Sequence, residues 1–118
     1  MRGVRPKRMG TAVAVPLVAW MLAVGTVRGD DLTVVAVTIR DHRFGPSEIH
    51  VPAGRPARLD ITNQDPTAEE FDSPALKVEK VIAGGKSGSV RIRPLERGRY
   101  PFVGEYHEDT AKGEVVAD

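Results

Sequence analysis

The chain of 118 residues has no cysteine, and its three methionines and single tryptophan all lie within the first 21 residues. The absence of cysteine excludes disulfides, thiolate metal ligands and lipid attachment of the bacterial lipoprotein kind. A domain formed by the rest of the chain must therefore be held together by its core. Any metal that it binds must use mainly oxygen or imidazole ligands.

The first 29 residues contain no acidic side chain. They begin with a basic stretch, continue with an uncharged run over residues 9–27 and end at Gly29, which is typical of a secretory signal peptide. We predict a signal peptide over residues 1–29, cleaved after Gly29, and hence an exported, periplasmic protein. The alternative is an uncleaved anchor, because the run is close to the roughly 17 residues that just span a bilayer.

Cleavage at this point would make the protein acidic. The chain has 17 Lys and Arg against 16 Asp and Glu, and five of the basic residues precede residue 30. The remainder has 12 basic and 16 acidic residues, a net charge near −4. Such a charge argues against nucleic acid as a partner and favours a cation.

Residues 30–118 alternate between short β-rich runs and turn signals, such as VPAGRP and PLERG, spaced about every 8 to 12 residues. In ARLDITN, Leu59 and Ile61 alternate with polar neighbours, as in a half-buried strand. This spacing predicts one all-β domain, a sandwich or barrel. The predicted strands are LTVVAVTI, EIHV, ARLDITN, VEKVI, SVRI, RYPFV and GEVVA, whereas the acidic stretches EEFDSPA and GEYHED are predicted as loops.

Two expected hairpins indicate which loops share an end of the domain. If EIHV and ARLDITN are antiparallel neighbours, His42 lies at the same end as residues 63–70. If SVRI and RYPFV are neighbours, Gly84 lies at the same end as residues 105–109. The hairpins alone leave open whether these two ends coincide.

The order of motifs resembles that of a cupredoxin over nearly all of residues 30–118. The motifs are FGPSEIHVPAG, then NQD, then GRYPF leading to EYHEDTAKGEVV. Within that group, EEFDSPALKVEKVI followed by GEYHEDTAKG is similar to small periplasmic proteins associated with iron permeases, and to the cupredoxin domain of exported iron-uptake proteins. The resemblance implies an eight-stranded Greek-key β-sandwich with the metal loops together at one end.

The chain departs from the blue-copper pattern of two histidines, a cysteine and a weak axial methionine. By the resemblance, Glu70 stands in place of the first histidine, Gly104 in place of the cysteine, and Ala111 or Lys112 near the methionine. His107 alone is kept. An ordinary blue-copper centre is therefore excluded by composition.

The predicted metal ligands are oxygen and imidazole groups of the two acidic stretches and of the loop before EIHV. Glu105 and His107 are two residues apart and would point the same way on extended backbone. A bend at Ser73 would bring together Glu70 and Glu79, which one strand would place on opposite faces. The predicted ligands are Glu70, Glu79, His107, Glu105 and His42, with Lys80 and Asp72 around them.

The remaining polar residues near these stretches are expected to be ordinary surface groups. Glu69, Glu108 and Asp109 are predicted to be solvated loop charges, a role equally open to Asp72. His50 alternates with Ile49 and Val51 and is predicted to face water.

These features predict a periplasmic metal-binding protein that assists iron uptake. Carboxylates with an imidazole suit Fe(II), Fe(III), Cu(II), Mn or Zn, and the choice between iron and copper stays open. An inner-membrane iron permease and other iron-uptake proteins are partners implied by the resemblance. The alternatives are a ferroxidase that turns over and a metal-free β-sandwich that serves as an interaction module of the cell envelope.

Overall fold

The computed structural model describes residues 32–118, which form a two-sheet β-sandwich. The predicted all-β fold is confirmed. The predicted signal peptide and the first two residues of the predicted mature domain lie outside the described residues. Within the described part there is no helix long and apolar enough to cross a membrane. The strands are β1 (Thr33–Arg40), β2 (Arg43–Gly45), β3 (Glu48–Val51), β4 (Ala57–Asn63), β5 (Glu69–Ser73), β6 (Val78–Ile82), β7 (Ser87–Ile92), β8 (Gly98–Gly104) and β9 (Lys112–Ala117), with a 3₁₀ turn at Glu105–His107.

One sheet has the order β2-β1-β4-β7 and the other the order β3-β9-β8-β5-β6. The pairs β1/β4 and β3/β9 are parallel, and the remaining pairs are antiparallel. Every second residue of β4 faces the core, and Leu59 and Ile61 are fully buried, as predicted. Phe44, Phe71 and Phe102 pack together, with ring centroids 4.7 to 5.9 Å apart. Each such aromatic pair adds about 0.5–1.5 kcal/mol beyond its buried area.

Both predicted hairpins are wrong, because the two strands of each lie in different sheets. β3 pairs with β9, while β4 pairs with β1 and β7. The connections over residues 52–56 and 93–97 cross between the sheets, and they meet where the Gly54 N–H donates to the Leu95 carbonyl (2.8 Å). Both reversals thus lie at one end of the sandwich. At the other end, which we call the site end, the β1–β2 and β8–β9 connections meet where Thr110 Oγ1 donates to the His42 carbonyl.

Two strands fall where the sequence predicts turns or loops. β2 occupies part of the separator FGPS, and β5 occupies EEFDS. Serine and carboxylates are weak strand formers, but β5 lies between β6 and β8 and buries Glu69, Phe71 and Ser73 on one face. Pairing on both sides overrides the weak local preference, so the acidic residues of this stretch stand on a strand.

Candidate metal centre

Three carboxylates converge on the outer face of the five-stranded sheet. Glu70 lies on β5, Glu79 on β6 and Glu105 on the 3₁₀ turn, and one oxygen of each lies within 4.8 Å of the other two. The β5–β6 register pairs Asp72 with Glu79, so Glu70 and Glu79 are diagonal neighbours on one face. The β5–β6 hairpin therefore brings together Glu70 and Glu79, which a single continuous strand would place on opposite faces.

Mutual repulsion shapes the electrostatics of this carboxylate triad, by which we mean Glu70, Glu79 and Glu105. The pKa of Glu105 is raised above its usual range, chiefly by the negative charge of Glu70. Partial desolvation and the negative charges of Asp72 and Glu79 act in the same direction. Asp72 is half-buried and lies opposite Glu79 in the β5–β6 register. A bound cation or proton would relieve the repulsion.

His107 lies outside the triad. The prediction that it points the same way as Glu105 is wrong, because residues 105–107 form a 3₁₀ turn with three residues per turn, in place of extended backbone. The Nδ1 atom of His107 lies 2.6 Å from Oε2 of Glu69, and its ring stacks on that of His42 with 3.5 Å between centroids. One ring nitrogen is therefore already engaged by the protein.

Glu69 also lies elsewhere than predicted. It was expected to be a solvated loop charge, but it faces the core and is 1% exposed. Its Oε1 accepts hydrogen bonds from the N–H groups of Glu70 (3.0 Å) and Tyr106 (2.9 Å). Its alternation with Phe71 was the available signal, since every second residue of a strand faces the same side.

His42 lies beside Asp65 at this end, although the hairpin from which this was predicted does not form. Its side chain is exposed and stacks on His107, outside the triad. Asp41 and His42 have φ values of 52° and 58°, and both of their N–H groups donate to the carboxylate of Asp65 (2.8 and 2.9 Å). These bonds, that from His42 above all, lower the pKa of Asp65 despite its burial. Thr110 closes the arrangement by donating from Oγ1 to the His42 carbonyl (2.6 Å).

Lys80 and His50 both lie away from the triad. Lys80 is next to Glu79 on β6 and so points to the other face, where its Cε would lie 3.2 Å from a Cβ built on Gly88. The predicted contact of Lys80 with the ligand carboxylates is therefore not formed. His50 is exposed on β3, as predicted, with its ring nitrogens 2.9 Å from Glu48 and 3.1 Å from Asp118.

A blue-copper centre does not fit the interior of the site end. A Cβ at Gly104, the position of the cysteine by resemblance, would lie 2.6 Å from Cδ of Glu69 and 2.7 Å from Cβ of Ala111. The Glu69 carboxyl group fills the space into which such a side chain would point. The expected place of Glu70 is also corrected: Glu69 is the residue that lies against Gly104 and His107, and Glu70 faces outward.

Comparison with known proteins agrees with this fold. The cupredoxin-like domain family matches residues 12–117. An uncharacterized protein of Rickettsia prowazekii (strain Madrid E) is 38% identical over 89 residues, which are 75% of this chain and 71% of the relative.

Two solved structures with the same fold are copper proteins by their descriptions. One is the metal binding domain of the Cu(I) exporting P-type ATPase CopA of Streptococcus pneumoniae D39, with Cu(I) (17% identity, TM-score 0.67, 79% of this chain and 91% of that one). The other is auracyanin A, a blue copper protein of Chloroflexus aurantiacus (13% identity, TM-score 0.64, 75% and 100%). With the family match spanning nearly the whole described domain, this chain belongs to the cupredoxin-like domain family.

Proposed function

We propose that this protein is an exported metal-binding protein whose ion is held by the carboxylate triad, and that it assists iron uptake. The observation that carries the proposal is the convergence of oxygen atoms from Glu70, Glu79 and Glu105 within 4.8 Å. The raised pKa of Glu105, caused chiefly by the charge of Glu70, supports the proposal, because a bound cation would relieve the repulsion between the three carboxylates. The family and the copper-binding neighbours support a metal function in general.

Iron is the cargo that the donor set favours. Three anionic oxygens are hard ligands, which suit ferric iron and Mn(II) better than Cu(I). They stabilise Fe(III) more than Fe(II), so binding would also favour oxidation of the ion before delivery to a permease. Cu(II) is the second candidate, since it accepts oxygen ligands and the structural neighbours are copper proteins.

Binding by the triad is tested by calorimetric titration with Fe(II) under anaerobic conditions, and with Mn(II) and Cu(II). We expect Glu70→Gln, Glu79→Gln and Glu105→Gln each to weaken binding at least about tenfold, and double variants to lose less than the sum, because the three groups share one ion. Glu108→Gln and His50→Ala are matched controls, since both residues are exposed and outside the triad. Parent-like affinity in all three triad variants would refute the site and favour the interaction-module alternative.

Oxidase activity is measured separately, by exposing the Fe(II)-loaded protein to air and following Fe(III) formation over repeated additions of Fe(II). Oxidation limited to one equivalent of iron indicates binding and delivery, whereas repeated turnover indicates a ferroxidase. The proposal is for binding and delivery.

A further inference from the structure

Glu69 is a buried carboxylate beside the triad, and the proposed function leaves it without a role. Its side chain is 2% exposed, and burial of a charged group is costly unless hydrogen bonds compensate. Both of its oxygens have partners: Oε2 lies 2.6 Å from Nδ1 of His107, and Oε1 accepts the N–H groups of Glu70 and Tyr106. A residue with this many fixed contacts holds its neighbours in a defined arrangement.

Two of these contacts adjoin ligands of the triad. The Glu70 N–H belongs to a triad residue itself, and the Tyr106 N–H follows directly after Glu105. The first N–H groups of any helical turn lack partners within the turn, and Gly104, the residue before this 3₁₀ turn, has no side chain to cap them. The carboxylate of Glu69 thus caps the turn from the neighbouring strand, and a single oxygen ties β5 to the 3₁₀ turn.

We propose that Glu69 is a positioning residue for the carboxylate centre, because its Oε1 fixes the backbone at Glu70 and at Tyr106, the residue directly after Glu105. The proposal rests on the proposed function of the triad. His107 holds the other oxygen of Glu69 in place, so the imidazole supports the site from inside and is not itself a ligand. Residues that orient metal ligands in this way commonly change affinity about 10- to 100-fold when they are replaced.

The structure distinguishes this role from a general effect on stability. A glutamine at position 69 retains an oxygen that can accept both N–H groups, and its amide can donate to a neutral Nδ1 of His107. Alanine removes the acceptor. Ser73 provides a matched control on the same strand: it is equally buried, and its hydroxyl donates to the Pro101 carbonyl (2.7 Å) and accepts the Leu76 N–H (3.0 Å), away from Glu69.

The experiment is calorimetric titration with Mn(II) and Cu(II) of Glu69→Ala, Glu69→Gln and Ser73→Ala, each with its unfolding midpoint. We expect Glu69→Ala to bind about 10- to 100-fold more weakly, and Glu69→Gln and Ser73→Ala to bind within about threefold of the parent. If Glu69→Ala does not fold, Glu69→Asp replaces it, because its shorter side chain cannot reach Tyr106 N.

Parent-like binding by the folded alanine or aspartate variant would overturn the proposal. So would an equal loss in the glutamine variant, because charge and not N–H acceptance would then be responsible. If Ser73→Ala lost as much metal affinity as Glu69→Ala, the loss would reflect a general loss of stability, and this result would also overturn the proposal. Glu79→Gln is titrated alongside: if it also binds like the parent, the triad itself is wrong, which separates the two failures.

Discussion

Gly104 permits the most direct test of the packing at the site end. In Gly104→Ala the new Cβ would lie 2.6 Å from Glu69 Cδ and 2.7 Å from Ala111 Cβ, roughly 1 Å closer than ordinary carbon contacts of about 3.5–4.0 Å. The backbone at Gly104 is extended, so the strain comes from the contacts and not from its φ and ψ. The Glu69 carboxyl group cannot retreat without breaking one of its three hydrogen bonds.

The expected cost follows from these contacts. Overpacking costs about 1–3 kcal/mol, and loss of a hydrogen bond to a charged group costs about 1.5–3 kcal/mol. We therefore expect Gly104→Ala to lower the free energy of unfolding by about 3 kcal/mol, which is roughly 2 M in the urea midpoint of a small domain. Far-UV circular dichroism in a urea titration measures it.

A double-mutant cycle identifies Glu69 as the cause. In Gly104→Ala with Glu69→Ala, the new methyl group occupies space that the carboxylate has left, so the combined loss should be smaller than the sum by about 1–3 kcal/mol. Gly88→Ala is the control, because its Cβ would meet only Ile82 Cγ1 and Lys80 Cε at 3.2 Å and should show no coupling to Glu69→Ala. Additive losses within about 0.5 kcal/mol at Gly104 would refute the reasoning.

Four further outcomes are expected. The Cu(II)-loaded protein should be pale, because no thiolate is present to give an intense visible band; a strongly blue solution would contradict this. N-terminal sequencing of exported protein should begin at Asp30, whereas an intact Met1 in the membrane fraction would favour an anchor. In urea titrations of metal-free protein, the lowered pKa of Asp65 contributes stability above about pH 4 that is lost on acidification, and Asp65→Asn should flatten this loss. The raised pKa of Glu105 acts oppositely: its contribution is present in acid and lost as pH rises through that pKa, and Glu105→Gln should remove the decline. Unchanged profiles in both variants would refute these assignments.

The fold class was predictable because it depends on period-2 patterning, and one strand shows why. In ARLDITN the alternation specifies one buried face, and β4 buries Leu59 and Ile61 accordingly. The partner of that strand was not predictable, since alternation constrains a face and not a neighbour. The same sequence fits a hairpin with β3 or a crossover to the other sheet, and the chain crosses.

Three of the five predicted ligands, Glu70, Glu79 and Glu105, converge in the structure, whereas His42 and His107 stack outside the triad. The prediction assumed a loop where β5 forms and extended backbone where the 3₁₀ turn forms. Both errors concern local backbone, which decides the direction of each side chain. A strand assignment for EEFDS would have paired Glu69 with Phe71 on the buried face and would have placed Glu70 outside.

The one-residue alternation between Glu69 and Glu70 also determines what kind of metal chemistry this end of the sandwich can support. The inward carboxylate engages His107 and fills the space beside Gly104, which leaves no room for a side chain at that position. The outward carboxylate joins two others on a face open to solvent, where Glu79 and Glu105 are exposed. A buried centre with rigid ligands suits electron transfer, whereas exposed oxygen ligands allow an ion to enter and leave. The donor set and its exposure therefore fit our proposal of binding and delivery better than an electron-transfer role.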